Sequence, residues 1–265
     1  MRNMDLGIKN RVAVVTGAST GIGFAISKNL SIAGVKVLLV SRNAKKLKKA
    51  IKEIKASGGC DADFIVGDVS KVLTAKKVVK RCLKKWKKID ILINNSGGHP
   101  PGGLLKQNEK NWSFAIQNNL MSVIRFTKEV IPIMQKNKWG RIVTIGSTIA
   151  KEPTPEMILS ATSRGGLAAF TKAVGINFAK DNISANVISP GAILTERFIK
   201  LVKIAAKNEK KKYSEKLSDV KMNIPARRIA KPDEIAYAAI FLASELGAYI
   251  NGVDLSIDGA FTKGY

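Results

Sequence analysis

The fold of this chain is decided by the stretch VAVVTGASTGIG, residues 12–23. The apolar run Val12–Val15 predicts a buried strand, and a helical period begins at Ile22. Between them, glycines in the spacing G-x-x-x-G-x-G allow a tight turn that a pyrophosphate can approach, and the helix amino terminus favours an anion. The stretch therefore predicts a strand–turn–helix unit that binds a dinucleotide. Its expected binding residues are Gly17, Ser19, Thr20, Gly21, Ile22 and Gly23.

Outward from this stretch, short apolar runs alternate with segments of helical period. The runs lack polar alternation, which is typical of parallel strands covered on both faces. Their alternation with helices predicts an α/β fold with a doubly wound parallel sheet, as a single domain over residues 1–265. The predicted strands are Val12–Val15, Val37–Val40, Phe64–Val66, Ile89–Ile93, Arg141–Ile145, Ala185–Ile188 and Val253–Ile257, and the predicted helices include Ile22–Ala33, Ala44–Ser57, Thr74–Lys88 and Asn111–Lys136.

Residues 196–225 interrupt this rhythm. The segment is lysine-rich, helical in period and placed between the sixth and seventh predicted strands. Because ligands of open sheets bind beyond the carboxyl ends of the strands, an insertion here is interpreted as a substrate lid. A solvated surface excursion is the alternative.

Composition places the chain among globular proteins. Its 265 residues are 45% hydrophobic, and no run of about 18 apolar residues predicts a membrane span. Two cysteines, Cys60 and Cys82, form no disulfide framework, and no paired Cys/His spacing suggests a metal site. Since Met1–Lys9 lacks the apolar run of a signal peptide, a cytoplasmic protein is expected.

The charge is the unusual feature of the composition. Lys and Arg number 45 against 20 Asp and Glu, a formal net charge of +25. Between Lys36 and Lys88 there are 17 basic residues against 4 acidic ones, mostly on two predicted helices that also carry core positions such as Leu47 and Val78. Trp86 is the single aromatic residue among the lysines of these two helices, too few for the repeated stacking positions of a nucleic-acid site. The charge is therefore interpreted as a lysine-coated surface, and a nucleic-acid partner is disfavoured.

The residues after the second strand indicate which dinucleotide is bound. A carboxylate about 20 residues after the glycines would bind the ribose 2′-OH of NAD, but Ser41 and Arg42 stand there instead. A hydroxyl and a guanidinium suit a 2′-phosphate, so NADP is predicted over NAD.

After the third strand, Asp68 and Val69 are expected beside the adenine. After the fourth, Asn95, Ser96 and Gly97 form a polar turn at the strand's carboxyl end. Local turn capping is the alternative for Asp68 and for the Asn94–Gly97 turn.

Together these residues resemble the short-chain dehydrogenase/reductase family, closest to its β-ketoacyl-acyl carrier protein reductase branch. The resemblance spans essentially the whole chain. It implies a seven-stranded Rossmann sheet, a nicotinamide cofactor, hydride transfer to a carbonyl, and a homotetramer. The matching motifs are Thr16–Gly23, Asp68-Val69, Asn94–Gly97, Asn119-Leu120, Ile145–Ser147, Pro190-Gly191 with Thr195, Ile250–Gly252 and Asp258-Gly259. It adds Pro190, Gly191, Ile193 and Thr195 to the expected cofactor contacts.

The resemblance also implies the catalytic residues. Asn119 matches the family's active-site Asn, and Ser147 matches the Ser that binds the substrate carbonyl. The family's Tyr and Lys are replaced by Ser160 and Arg164. Serine is shorter and less acidic than the phenol, so loss of a positioned general acid predicts turnover lower by about 10²–10⁴-fold. Arg164 retains donors for the cofactor ribose, to which the family's Lys binds.

Several residues are candidates to replace the acid. They are His99, Glu152 and Glu156, with Tyr213 on the expected lid, or none of them. Two hypotheses follow. The first is an NADP-dependent oxidoreductase acting on a carbonyl or alcohol, with small-molecule or acyl-thioester substrates. The second is a catalytically degenerate NADP-binding sensor or oligomer subunit.

Overall fold

The computed structural model describes residues 5–264 and contains one seven-stranded parallel sheet with the strand order β3-β2-β1-β4-β5-β6-β7. This confirms the predicted doubly wound α/β fold. The strands are β1 Val12–Thr16, β2 Lys36–Ser41, β3 Ala62–Val66, β4 Ile91–Asn94, β5 Gly140–Ile145, β6 Ile183–Pro190 and β7 Asp254–Ile257. The α-helices are α1 Gly21–Ile32, α2 Ala44–Ala56, α3 Thr74–Trp86, α4 Glu109–Ile116, α5 Ser122–Asn137, α6 Ile158–Phe178, α7 Glu196–Asn208, α8 Tyr213–Met222 and α9 Pro232–Leu242.

The core lies on both faces of the sheet, as the continuous apolar strands predict. Successive side chains of a strand point to opposite faces. Ala13 and Val15 of β1 therefore pack with α1, α2 and α9, whereas Val12 and Val14 pack with α3, α5 and α6. All four are fully buried. A sheet covered on both faces leaves its strand ends as the place for a site.

The point where the strand order reverses lies between β1 and β4. From β1 the chain continues to β2 on one side, while β4 pairs on the other, with Val14 opposite both Leu38 and Leu92. The loops after β1 and β4 then leave in opposite directions, which opens a crevice at their carboxyl ends. The glycine turn and the Asn94–Gly97 turn meet there.

One predicted helix is divided in the structure. The expected helix Asn111–Lys136 consists of α4, a π-helical segment Gln117–Met121 and α5. The predicted helical segment is confirmed, but its α-helical hydrogen-bonding is interrupted by the π-helical turns. A π segment shifts the hydrogen-bond ladder and is found frequently at functional sites. Here it contains Asn119.

The lysines of α2 and α3 lie on the solvent-facing sides of these helices, as predicted. Leu47 and Val78 are buried, while Lys48 of α2 and Lys77 of α3 are exposed. Residues 196–225 form α7 and α8, joined by a short turn.

Candidate active site

A cavity of about 1010 Å³ occupies the crevice beyond the strand ends. It is bounded by the glycine turn, the turn after β4, the loops after β5 and β6, and helices α6 to α8. Fifteen of the residues predicted from the sequence line it. They are Gly17, Thr20, Gly21, Ile22, Arg42, Asn95, Ser96, Gly97, Ser147, Ser160, Arg164, Pro190, Gly191, Ile193 and Thr195.

The glycine turn is shaped by its contact with Asn95. The Asn95 amide nitrogen donates to the carbonyl oxygens of Thr16 and Gly17 at 3.3 and 3.2 Å. A Cβ at Gly17, where φ is +59°, would lie 2.4 Å from the Asn95 carbonyl oxygen. At Gly23 it would lie 2.5 Å from both the Gly17 carbonyl oxygen and the Asn95 amide nitrogen. These positions therefore require glycine, so that the loop stays close to the turn after β4 and the start of α1 remains open.

The end of β2 presents hydroxyl and cationic groups. Ser19 and Ser41 share a hydrogen bond of 2.9 Å between their hydroxyl oxygens, and neither residue lines the cavity. Arg42 is exposed and lines the cavity. Nearby, Lys46 forms a 2.7 Å ion pair with Glu196, the first residue of α7. The side chains expected around a 2′-phosphate are thus on one side of the crevice.

Asp68 and Asn119 both lie outside the cavity lining. The Asp68 carboxylate accepts from the Ser70 amide and hydroxyl at 3.0 and 2.8 Å, so it caps its own turn. Val69 packs against the core. Asn119 is buried and donates from its amide nitrogen to the Ser163 hydroxyl at 2.8 Å. Both expected roles therefore stay predictions, and in this structure the two polar side chains are engaged within the protein.

Ser160 and Arg164 form a hydrogen-bonded pair on one face of α6. The Arg164 Nη1 donates to the Ser160 Oγ at 2.8 Å, and its Nη2 donates to the Ser96 carbonyl oxygen at 2.9 Å. The serine is 3% exposed and the arginine 9%. Burial, and then the charge of Arg197, lower the pKa of Arg164 to about 10. Arg164 remains a cation at neutral pH, and it holds Ser160 at the wall of the cavity that Ser147 also lines.

The candidates for a replacement acid are placed unfavourably. His99 is 3% exposed at the cavity wall, and burial together with Arg164 and Arg197 lowers its pKa to about 4. It is therefore neutral at pH 7 and has no imidazolium proton to give. Glu152 accepts from the Lys263 amide, and Glu156 is exposed away from the cavity. Tyr213 is half-buried on α8 beside Lys203, also off the cavity lining.

The low pKa of His99 predicts acid sensitivity of the fold. The unfolded chain binds a proton near pH 6.5 but the folded chain only near pH 4, so stability is lost as pH falls through this window. By pH 4.5 the loss from this group is about 2–3 kcal/mol. Arg164 and Arg197, which face the ring, stay protonated throughout. Urea unfolding at pH 7.5 and 4.5 measures the effect, and His99→Asn should remove most of the difference. Equal pH dependence in both proteins would contradict the assignment.

One functional side chain was missed at the level of sequence. Arg197, the second residue of α7, lines the cavity and donates from Nη2 to the His99 carbonyl oxygen at 3.0 Å. It is the one arginine in residues 196–225, where the other basic residues are all lysines. Arginine is preferred where planar, bidentate recognition of an anion matters. An arginine in a segment whose other basic residues are all lysines was the sequence signal that could have identified this side chain.

Within residues 5–264, no helix is both long and apolar enough to cross a bilayer. In the same described residues, no group of three or more His, Cys, Asp or Glu side chains is arranged to hold a metal ion.

Comparisons with known proteins agree with the fold and the turn motifs. The family profile described as enoyl-(acyl carrier protein) reductase, of the short-chain alcohol dehydrogenase type, matches residues 17–262. The 2,3-dihydro-2,3-dihydroxybenzoate dehydrogenase of Bacillus subtilis is 32% identical over 259 residues, covering 97% of this chain and 98% of that protein. The 3-oxoacyl-(acyl-carrier-protein) reductase of Buchnera aphidicola subsp. Schizaphis graminum is 36% identical over 254 residues, covering 95% and 97%.

A solved structure extends the similarity to three dimensions. The L-sorbose reductase of Gluconobacter frateurii, crystallised with NADPH and L-sorbose, superposes with a TM-score of 0.94 at 30% identity, covering 99% of this chain and all of that one. The match to the family profile and the extent of these alignments settle the membership. The chain belongs to the short-chain dehydrogenase/reductase family, close to its β-ketoacyl-acyl carrier protein reductase branch.

Proposed function

We propose that the protein is an NADP-dependent oxidoreductase that transfers a hydride between the nicotinamide cofactor and a carbonyl or alcohol substrate, with Ser160 and Arg164 in place of the family's Tyr and Lys. The observation that carries the proposal is the 2.8 Å hydrogen bond from Arg164 Nη1 to Ser160 Oγ at the wall of the cavity. The pair keeps a hydroxyl and a fixed cation at the position where the family places its acid.

The residues of the crevice fit an NADP molecule. The glycine cradle would be filled by a Cβ at Gly17 or Gly23, and the start of α1 offers backbone N–H groups to a pyrophosphate. Arg42 lines the same cavity at its β2 side, where a 2′-phosphate would lie. When bound, the cofactor supplies or accepts the hydride. The solved relative with NADPH supports the same choice of cofactor.

Arg42→Ala tests the cofactor assignment. A hydrogen bond to a charged group contributes about 1.5–3 kcal/mol, so NADPH affinity should fall about 10–150-fold while NADH affinity stays nearly unchanged. Fluorescence titration of both cofactors measures the two affinities. Lys48→Ala is the control, because Lys48 is an exposed α2 cation outside the cavity lining. Tighter binding of NADH than NADPH by the unaltered protein would overturn the assignment.

The serine hydroxyl is oriented by its hydrogen bond. Because Ser160 Oγ accepts from Arg164, its own O–H is free to donate towards the cavity. Ser147 also lines the cavity, and its Oγ accepts from the Ile149 amide at 3.3 Å, which leaves its O–H available to the same carbonyl oxygen. The tyrosine ring of the family is absent, and the cavity extends to Ser160 itself, so a carbonyl oxygen can approach it directly.

Proton transfer is driven by the negative charge that develops on the carbonyl oxygen of the substrate. As the carbonyl oxygen becomes an alkoxide, Ser160 passes its proton to it, and the Arg164 cation stabilises the serine oxygen until solvent reprotonates it. In the reverse direction Ser160 accepts the proton of the alcohol. No histidine or carboxylate is needed for this step, which agrees with the neutral state of His99 at pH 7.

Single-turnover kinetics test the proposal. The protein loaded with NADPH is mixed by stopped flow with ketones, aldehydes and 3-oxoacyl thioesters, and cofactor oxidation is followed at 340 nm. Oxidation with at least one carbonyl class is expected, and Ser160→Ala should slow it by about 10²–10⁴-fold. No oxidation across the panel would overturn catalytic function.

The second candidate is a catalytically degenerate NADP-binding sensor or a subunit of a mixed oligomer. It is favoured by the internal engagement of Asn119, whose amide donates to Ser163, and by the low pKa of His99. The two functions differ in single turnover, since a sensor binds NADPH without oxidising it.

Residues 196–225 are proposed to form the substrate lid. Apolar side chains of both helices face the cavity, including Phe198, Leu201 and Val202 from α7 and Val220 from α8. Lysines elsewhere on the segment provide cleavage sites, so protection from trypsin by NADPH with substrate is the expected result. Unchanged cleavage in residues 196–225 would contradict closure.

A homotetramer is proposed from family membership. Ile176 on α6 is 70% exposed in the isolated chain, and an apolar side chain of this size is a candidate for burial between subunits. Size-exclusion chromatography with light scattering measures the mass, and a monomer would contradict the proposal.

A further inference from the structure

The cavity has an uncompensated positive charge. Five of its lining residues are lysine or arginine, namely Arg42, Arg164, Arg197, Lys200 and Lys216, and one is acidic, Glu196. Glu196 pairs with Lys46, while Lys216 pairs with Glu209 on the lid. Within residues 5–264, no carboxylate lies within 4.0 Å of the guanidinium of Arg164 or Arg197.

The two guanidinium groups lie against consecutive glycines of the turn after β4. A Cβ at Gly97 would be 3.6 Å from Arg164 Nη2, and a Cβ at Gly98 would be 3.9 Å from Arg197 Nη1. Arg197 also donates to the carbonyl oxygen of His99, the next residue along. The turn therefore holds both cations at the same end of the cavity, although they come from α6 and α7.

The contacts of Arg197 are with the turn after β4, not with the glycine turn or the end of β2, where the cofactor phosphates are expected. The pyrophosphate is expected at the glycine turn, and the 2′-phosphate is expected at Arg42 beyond β2. Arg197 lies past Gly97, beside Gly98 and His99, and Arg164 beside Gly97 connects this end of the cavity to Ser160 through its hydrogen bond. Its charge is thus available to the substrate.

The polar contacts of Arg164 are with neutral groups. Its partners are the Ser160 hydroxyl and the Ser96 carbonyl oxygen, and the side chain is 9% exposed. A buried cation without a counter-ion is costly, and a second cation nearby increases that cost. Binding of an anion would offset both. His99 is neutral at pH 7, so it does not change the net charge around the two arginines.

We infer that the substrate carries an anionic group, a carboxylate or a phosphate, which binds Arg197 with the electrostatic support of Arg164 while its carbonyl faces Ser147 and Ser160. This inference rests on the proposed function, because it names the substrate class of the same site. The remaining lining is largely apolar, with Phe198, Leu201 and Val202 around it, so the ligand is an oxo acid or an oxo phosphate with an apolar body. Arg197 is then the residue that determines specificity for charge.

Binding to the NADP⁺-loaded protein tests the inference without turnover, since the oxidised cofactor cannot reduce a ketone. Two matched pairs serve as probes in calorimetry: 2-oxohexanoate with its methyl ester, and dihydroxyacetone phosphate with dihydroxyacetone. At least one anion should bind about 10-fold or more tightly than its neutral partner. The pair that shows the preference identifies carboxylate or phosphate.

Variants of α7 complete the test. Arg197→Met should abolish the preference for the anion, and Arg197→Lys should retain part of it. Lys207→Met removes the same charge from an exposed position of the same helix, outside the cavity lining, and should leave the preference intact. Equal binding of anion and neutral partner, no binding of either anion, or a preference that persists in Arg197→Met would overturn the inference. So would weaker NADP⁺ binding in Arg197→Met with the anion preference unchanged, since Arg197 would then serve the cofactor.

The results that would contradict the proposed function differ from those that would contradict the anion site. If anions bind through Arg197 but no carbonyl oxidises NADPH, the anion site stands and the catalytic proposal fails. If ketones oxidise NADPH but anionic and neutral ketones bind equally, catalysis stands and this inference fails.

Discussion

Replacement of Ser160 by Ala is expected to lower the kcat for the best carbonyl substrate by about 10²–10⁴-fold, the usual contribution of a positioned proton donor. The hydroxyl is held by Arg164 at 2.8 Å and is 3% exposed at the cavity wall, and alanine leaves no proton donor in its place. NADPH affinity should stay within about 2-fold, because Ser160 is proposed to act on the substrate. Steady-state oxidation of NADPH at saturating substrate gives kcat, and fluorescence titration gives the affinity.

Two comparisons separate chemistry from structure. Thr162→Ala removes a hydroxyl from the exposed face of the same helix and should leave kcat unchanged. Arg164→Met should lower kcat and also weaken NADPH, since the arginine is proposed to contact both Ser160 and the cofactor ribose. Ser160→Tyr combined with Arg164→Lys should introduce a pH dependence of kcat from the phenol, which serine lacks. Undiminished turnover in Ser160→Ala would refute the proposed acid.

The strands and the glycine turn could be predicted because their signals are local. Val12–Val15 is apolar without alternation, which is typical of a strand buried on both faces, and a glycine-rich turn follows it directly. The structure confirms it, with successive side chains of β1 in the two separate cores. Strand ends differ from the predicted ones by up to two residues, since backbone pairing extends past the apolar run.

The environment of Asn119 could not be predicted from its own segment. The periodicity of residues 111–136 favours one regular helix, but the structure has a π-helical segment at Gln117–Met121. Asn119 there donates to Ser163, a residue 44 positions later on α6. The apolar periodicity of a helix does not show where its hydrogen bonds change from the α to the π pattern.

The state of His99 also depends on distant residues. Its burial and its pKa of about 4 arise from packing near Arg164 and Arg197, which follow it by 65 and 98 positions. Sequence alone left this histidine as a candidate acid in a loop. The same contacts place Arg197 in the cavity. The only local sign is that it is the single arginine among the lysines of α7, and its neighbour Glu196 pairs with Lys46 instead.

Gly17→Ala is expected to reduce NADPH affinity by about 100-fold or more and to lower the free energy of unfolding by about 2–5 kcal/mol. The left-handed backbone costs about 1–2 kcal/mol for a residue with a Cβ, and overpacking costs about 1–3 kcal/mol more. The added Cβ would lie 2.4 Å from the Asn95 carbonyl oxygen, a backbone atom fixed by the pairing of the turn with Thr16. Relief of that contact requires the two turns to separate, which would also move the amides that are proposed to bind the pyrophosphate.

Gly58→Ala separates the cost of the left-handed backbone from the cost of the contact with Asn95. Gly58 has a similar φ of +74° against +59° at Gly17, but a Cβ there would have no heavy atom within 4 Å. It should therefore lose about 1–2 kcal/mol of stability with unchanged NADPH affinity, and the difference between the variants measures the contact with Asn95. Urea unfolding and NADPH titration provide both quantities. Because the stability loss alone could result from any misplaced glycine, the decisive result is the affinity. Wild-type NADPH binding by a folded Gly17→Ala protein would show that the turn does not cradle the cofactor.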